Sequence, residues 1–275
     1  SSDSNPEDTD GHGTHVAGTI WGNGSARSDK LYQGAAPLAG TGGGTNRLFV
    51  GNSSIAKSTN ASSFGKNYKD SNNKTSPYPR IISNSYSSKT TNGWSGTESD
   101  ARTIDNAIFN KRQLWVFSAG NKKSTPANFW VGSPSSAKNV LTVSNHEDNF
   151  NSSRTINPGQ RWNTSRWGVT DSRTKPEVGA PGHNLTSTAW NSTTGYSTKS
   201  GTSMSTPLVS GCLISRIEAD SWYKDKPEAL KARAVASAKN DNSTGSGVWT
   251  EPQTGKGTKQ TTGWGMINTR TMVYK

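Results

Sequence analysis

The chain is poor in cysteine, in apolar residues and in negative charge. It has one cysteine, Cys212, in 275 residues, which excludes an intrachain disulfide framework. Cys212 falls in an apolar stretch, so a packed thiol is expected there. Only 28% of residues are hydrophobic, low for a globular domain. Ser, Thr, Asn and Gly fill the gap, which suits a loop-rich exported protein. The apolar residues still cluster into strand-like and helix-like runs, so the chain is not read as disordered. No apolar run approaches the ~18 residues of a membrane span. No basic-then-apolar signal peptide opens the chain, and its first residue is serine, so it reads as processed, engineered or a piece of something longer. Acidic residues number 19 against 31 Lys and Arg, a net charge of +12. The basic residues are scattered with no block of five or six together. That favours solubility or surface adhesion, and no nucleic-acid partner is expected.

What is present centres on Gly201-Thr202-Ser203-Met204-Ser205-Thr206-Pro207-Leu208-Val209-Ser210-Gly211. Serine is poor inside a helix and good in its first turn. There its hydroxyl faces unpaired N–H groups and the positive end of the helix dipole. Pro207 fits near a helix start because it has no N–H to donate. Val209, Cys212, Leu213 and Ile217 then recur at helical spacing, so a mostly buried helix with a serine at its mouth is expected. Taken alone, Ser203 reads equally well as an ordinary capping residue.

A second stretch lies at the other end: Asp10-Gly11-His12-Gly13-Thr14-His15-Val16-Ala17-Gly18. Together the two stretches resemble the subtilisin-like serine peptidases (subtilases). That family carries His-Gly-Thr-His-Val-Ala-Gly and, later, Gly-Thr-Ser-Met-Ala-x-Pro-x-Val-x-Gly. The resemblance implies His12 as general base, Ser203 as nucleophile and His15 as a structural residue.

Further segments extend the resemblance over about residues 10–270. Gly34-Ala35-Ala36-Pro37 is similar to a segment the family places before its second core strand. Residues 40–75 read as a long irregular loop region or an insertion, with a weak strand signal at Arg47–Val50. Arg80–Tyr86 reads as a buried strand. Its end resembles the family's wall for the substrate side chain before the scissile bond, implying Ser85, Tyr86 and Ser87 as substrate-binding residues. Ser87 stands where glycine is usual. From Glu98 to Lys111 the pattern predicts an amphipathic helix. Leu114–Phe117 is a short strand entering Ser118-Ala119-Gly120-Asn121. In the family Asn121 would supply the oxyanion-hole amide, with Ser118, Ala119 and Gly120 lining the substrate. The reading from the residues themselves is a turn-forming asparagine.

Val140–Ser144 is another strand. Arg166-Trp167-Gly168 only weakly resembles a family turn, whereas Lys175-Pro176-Glu177-Val178-Gly179-Ala180-Pro181-Gly182 matches well. A helix is expected over Pro227–Ala238, and Gly263–Asn268 resembles the turn near the end of the catalytic domain. Strands alternating with helices favour a parallel sheet covered by helices. The expected fold is α/β, a three-layer subtilisin-like arrangement. Its mostly parallel central sheet would have helices on both faces. The chain would form a single domain, residues 1–275.

The family's third catalytic group is an aspartate on the first core strand, in an Asp-Ser/Thr-Gly motif. No such motif is found here, so that strand is expected to be absent and the domain truncated at its N-terminus. Asp10 reads either as a helix cap or as a substitute carboxylate; Asp3 and Asp8 lie in a polar loop. A triad whose carboxylate is neutralised loses roughly 10⁴ in turnover. The chain by itself is therefore expected to be a weakly active serine endopeptidase whose full-length parent is active. The alternatives are a catalytically deficient, peptide-binding pseudo-peptidase and a cationic surface-binding module. A related class with a Ser-Glu-Asp centre shares the fold, but the His-Gly-Thr-His motif speaks against it. Polypeptide substrates, a monomer, and a secreted or cell-surface location are expected. No cofactor is required. Calcium is conceivable as a structural ion, with Asn23, Asp29, Asp148 and Asn149 as oxygen donors, but no spacing identifies a site and no metal residue is assigned.

Overall fold

The computed structural model describes residues 8–39, 79–88, 92–122, 129–146, 164–239 and 263–274. Its centre is a sheet of four strands lying side by side in chain order: β1 (Ile81–Asn84), β2 (Leu114–Ser118), β3 (Leu141–His146) and β4 (Val178–Pro181). Every pairing is parallel. Parallel neighbours need a crossover, usually a helix, and α2 (Ser99–Lys111) supplies it between β1 and β2.

All five residues of β2 are buried. Successive strand side chains face opposite ways. Leu114 and Val116 enter one core cluster, while Trp115 and Phe117 enter another. The first cluster is covered by α3 (Thr202–Ala219), α4 (Pro227–Ser237) and α5 (Thr269–Tyr274), through Val209, Leu213, Leu230, Ala234 and Met272. The second is covered by α2 through Ala101, Ile104 and Ile108. Each large side chain so buried contributes roughly 1.5–3 kcal/mol. Helices therefore lie on both faces of a parallel sheet, the three-layer α/β arrangement the alternating pattern implies.

Helix α1 (His12–Trp21) packs against α3 and against β5 (Leu185–Thr188). β5 pairs antiparallel with β6 (Tyr196–Lys199), which leads into α3. The Gly34–Pro37 segment closes α1: the Ala35 and Ala36 N–H groups donate to Thr19 O at 2.9 Å and Ile20 O at 2.8 Å. Near the C-terminus, Ile267 N donates to Gly179 O at 2.8 Å, laying that turn beside β4.

An ion cluster is buried at the N-terminal ends of β3 and β4. Glu177 accepts from Lys175 Nζ at 2.8 Å and Lys231 Nζ at 2.7 Å, and its other oxygen takes the Thr142 N–H at 2.8 Å. Burial pulls the Lys175 ammonium down to about 7 against the attraction of Glu177. Burial works to raise the Glu177 pKa, but the two ammoniums outweigh it and hold the carboxyl below its usual value. Cys212 is buried, with its thiol pKa raised by burial and its sulfur 3.5 Å from Thr269 Oγ1.

The strand expected over Arg80–Tyr86 ends at Asn84. Asn84 Nδ2 donates back to Ile82 O and across to Val116 O, and Ser85 and Tyr86 leave the sheet. The Arg47–Val50 signal, Asp3, Asp148 and Asn149 lie outside the described residues. Among the described residues no helix is long and apolar enough to cross a membrane.

Candidate active site

Helix α3 begins at the C-terminal ends of β1 and β2. Gly201 precedes it with φ 149°, in the region that favours glycine. A Cβ there would lie 3.1 Å from Asn121 Nδ2. Thr202 then grips the Asn121 side chain: its N–H donates to Asn121 Oδ1 at 3.1 Å and its hydroxyl to the same oxygen at 3.2 Å. Both bonds fall on the carbonyl oxygen, so Nδ2 takes no part in them and lies beside Gly201. Thr202 is fully buried. The sequence reading passed over this positioning residue. Its adjacency to the motif serine was the signal available.

Ser203 is the second residue of α3, as its residue type predicts. Its hydroxyl donates to Ser85 O at 3.0 Å, and Ser85 Oγ donates to Ser203 O at 2.8 Å. Pro207 sits inside the helix and has no N–H for the carbonyl four residues back, which is that of Ser203. The Ser85 hydroxyl takes the missing donor's place.

His12 opens α1, which packs against α3. Its backbone N–H donates to Asp10 Oδ1 at 2.7 Å, and its ring makes no hydrogen bond to a described residue. The helix cap proper is Gly11, with φ 76°, not Asp10, because the chain must turn through the left-handed region to enter α1. Asp8 does most of the capping. One of its oxygens takes the Gly11 N–H at 2.9 Å and the other the Thr14 N–H at 2.6 Å. Partial burial works to raise the Asp8 pKa, but the bonds from Thr14, Gly11 and Asp10 outweigh it and hold it at about 2. Both carboxylates thus serve main-chain N–H groups. His15 is fully buried. Its Nε2 lies 3.1 Å from Leu185 O, tying α1 to the β5–β6 hairpin. Burial lowers its pKa, against the effect of its bonds to the Leu185 and Ser197 main chain.

The expected substrate-lining residues divide. Ser118 is buried at the end of β2, its carbonyl accepting from Ser135 Oγ at 2.7 Å. Ala119 N donates to Val143 O at 2.9 Å. The Tyr86 ring turns into the core and meets Phe117 edge-on at 5.4 Å, with burial raising its pKa. Gly120 (φ 93°) and Ser87 approach each other over the stem of Arg166: a Cβ on Gly120 would lie 3.0 Å from Arg166 Cδ and 3.3 Å from Ser87 Cβ. Arg166 lay in a weakly matching turn, so nothing in the sequence marked it as a neighbour of these residues.

Of the candidate calcium donors, Asn23 Oδ1 takes the Ser25 N–H at 2.9 Å, and Asp29 is held by Arg27 at 2.7 Å. Among the described residues no three His, Cys, Asp or Glu side chains gather as a metal ion would require.

Known proteins share this architecture. The model of the Subtilase family matches residues 1–265. The chain is 30% identical over 242 residues to the alkaline proteinase of Hapsidospora chrysogena, covering 87% of this chain and 51% of that protein. It is 30% identical over 206 residues to subtilisin-like protease 1 of Pseudogymnoascus destructans, covering 74% of this chain and 42% of that protein. The chain thus spans about half the length or less of these relatives. Among solved structures, the prenylagaramide maturation protease PagA superposes with a TM-score of 0.63 at 22% identity, over 98% of this chain and 84% of that one. Sphericase superposes with a TM-score of 0.55 at 25% identity, over 84% and 70%. With its family motifs carried on a parallel sheet covered by helices on both faces, the chain belongs to the subtilase family of serine peptidases.

Proposed function

We propose that the protein hydrolyses peptide bonds within polypeptides through an acyl-serine intermediate. Ser203 Oγ attacks the scissile carbonyl carbon while His12 takes its proton. The C–N bond then breaks as the imidazolium returns that proton to the departing amine. Water repeats the sequence on the ester and releases the new carboxylic acid. The oxyanion formed at each attack would be met by the Ser203 N–H and by Asn121 Nδ2. The observation that carries this reading is the Thr202 clamp on Asn121 Oδ1, which leaves a preorganised NH₂ donor at the mouth of α3. Preorganised donors are effective because they need no reorientation as charge develops. A secreted or cell-surface setting fits the polar, loop-rich composition.

A second reading has its own support. Both oxygens of Asp8 and Oδ1 of Asp10 accept from main-chain N–H groups, and the Ser203 hydroxyl points to Ser85 O rather than to an imidazole. A peptide-binding protein with little turnover would look like this. Fluorophosphonate labelling of the 275-residue chain, read beside its Ser203→Ala variant, separates the two. Labelling confined to the chain with Ser203, together with cleavage of a denatured protein substrate, supports the peptidase. Tight peptide binding without labelling supports the binding protein.

A further inference from the structure

Arg166 is a buried cation that meets no carboxylate among the described residues. It is only 2% exposed. Its main-chain N–H donates to Gly120 O at 2.9 Å, and its neighbour Ser165 bridges to Asn121. The side chain then passes beneath Gly120 and beside Ser87. Those two residues belong to the segments holding the proposed oxyanion amide and the carbonyl that receives the Ser203 hydroxyl. The guanidinium ends on two long bonds from Nη1, to Ser88 O at 3.2 Å and Trp130 O at 3.4 Å. Its Nε is buried and finds no acceptor among the described residues. Burial lowers its pKa, although arginine stays charged under ordinary conditions.

A guanidinium has five N–H donors in a planar fork that matches a carboxylate. A buried charge without a partner is destabilising, and a ligand able to supply the opposite charge is favoured correspondingly. The stem of Arg166 also takes up room between Gly120 and Ser87, which disfavours a large apolar side chain there. We infer that Arg166 selects substrates bearing a carboxylate side chain, aspartate or glutamate, at the residue whose carbonyl is attacked. The inference rests on the reading of Ser203 as nucleophile and of the Ser87 and Gly120 segments as the walls of the substrate cleft.

The test uses matched peptides that differ only at that residue: Asp, Glu, Leu or Lys. Hydrolysis is followed with the full chain, and binding with its Ser203→Ala variant. The acidic peptides are expected to exceed the Leu and Lys peptides by at least about tenfold in kcat/KM and in affinity, the effect of a charge-assisted pair. Arg166→Met should abolish the preference, and Arg166→Lys should keep part of it. Hydrolysis with Leu or Lys equal or preferred overturns the inference and leaves the peptidase reading standing. Preferential, Arg166-dependent binding of acidic peptides without hydrolysis supports the inference and overturns the peptidase reading. Failure of every peptide to bind and to react overturns both. If Arg166→Met does not fold, as a thermal melt would show, the wild-type preference and the Arg166→Lys variant decide.

Discussion

Ser85 and Ser203 are tied by two reciprocal hydrogen bonds, each hydroxyl donating to the other residue's carbonyl, at 2.8 and 3.0 Å. The pair joins the end of β1 to the first turn of α3. It also supplies the donor that Pro207 withholds from the Ser203 carbonyl.

Ser85→Ala removes that donor and leaves a partly buried carbonyl without one. A loss of about 1–2 kcal/mol in urea unfolding is expected, with a slower rate of fluorophosphonate labelling at Ser203. Unchanged stability and labelling would show that the bond does not support the helix start.

Asn121 and Thr202 should behave as a donor and its holder. On the proposed reading of Asn121 as an oxyanion donor, Asn121→Ala is expected to cut kcat by roughly 10²–10³, the range known for the oxyanion-hole asparagine of subtilisin. Thr202→Val removes the hydroxyl bond but keeps the N–H bond, so it should cost less, mostly in kcat and little in KM. Equal losses from both variants, or a loss confined to KM, would contradict this division.

Glu177→Gln replaces the carboxylate that faces two ammonium groups with a neutral amide. Lys175 then stays buried with no anion, and breaking such a pair costs about 3–5 kcal/mol. Guanidinium unfolding measures it. A shift under 1 kcal/mol, roughly the worth of an exposed pair, would mean that the cluster is hydrated.

His15 sets a pH limit on stability. Its folded pKa lies below the ordinary histidine value of about 6.5, chiefly through burial. Below about pH 6.5 the unfolded chain binds a proton that the folded one refuses. Stability is therefore fully present above that pH and declines as pH falls toward the folded pKa. His15→Gln should lose less stability than the wild type between pH 7.5 and 5.5. Parallel pH profiles for the two proteins would dismiss His15 as the cause.

Much of this was legible in the residues. The periodicity of residues 98–111 marked α2 and its core face, because an amphipathic helix writes its packing into local spacing. The apolar run at 114–117 marked β2, and the position of Ser203 at a helix mouth followed from serine's dislike of helix interiors. The capping of α1 was read less well. Asp10 was the adjacent polar residue, but Asp8 makes the bonds to Gly11 and Thr14. A left-handed Gly11 brings a more distant carboxylate over the helix end, and spacing alone does not reveal that turn.

Residue order alone marked helices α1 to α4 and strands β1 to β3, the family and the identities of the catalytic candidates, because propensity, hydrophobic period and motif are properties of neighbours in the chain. The β5–β6 hairpin and α5 were not marked. Tertiary structure decided which distant groups meet: Ser85 with Ser203, Thr202 with Asn121, Arg166 beneath Gly120 and Ser87. Such contacts depend on how strands and helices stack after their chain-distant faces have been buried together. Side-chain hydrogen bonds and unpaired charges at those junctions therefore exist only once the fold is complete.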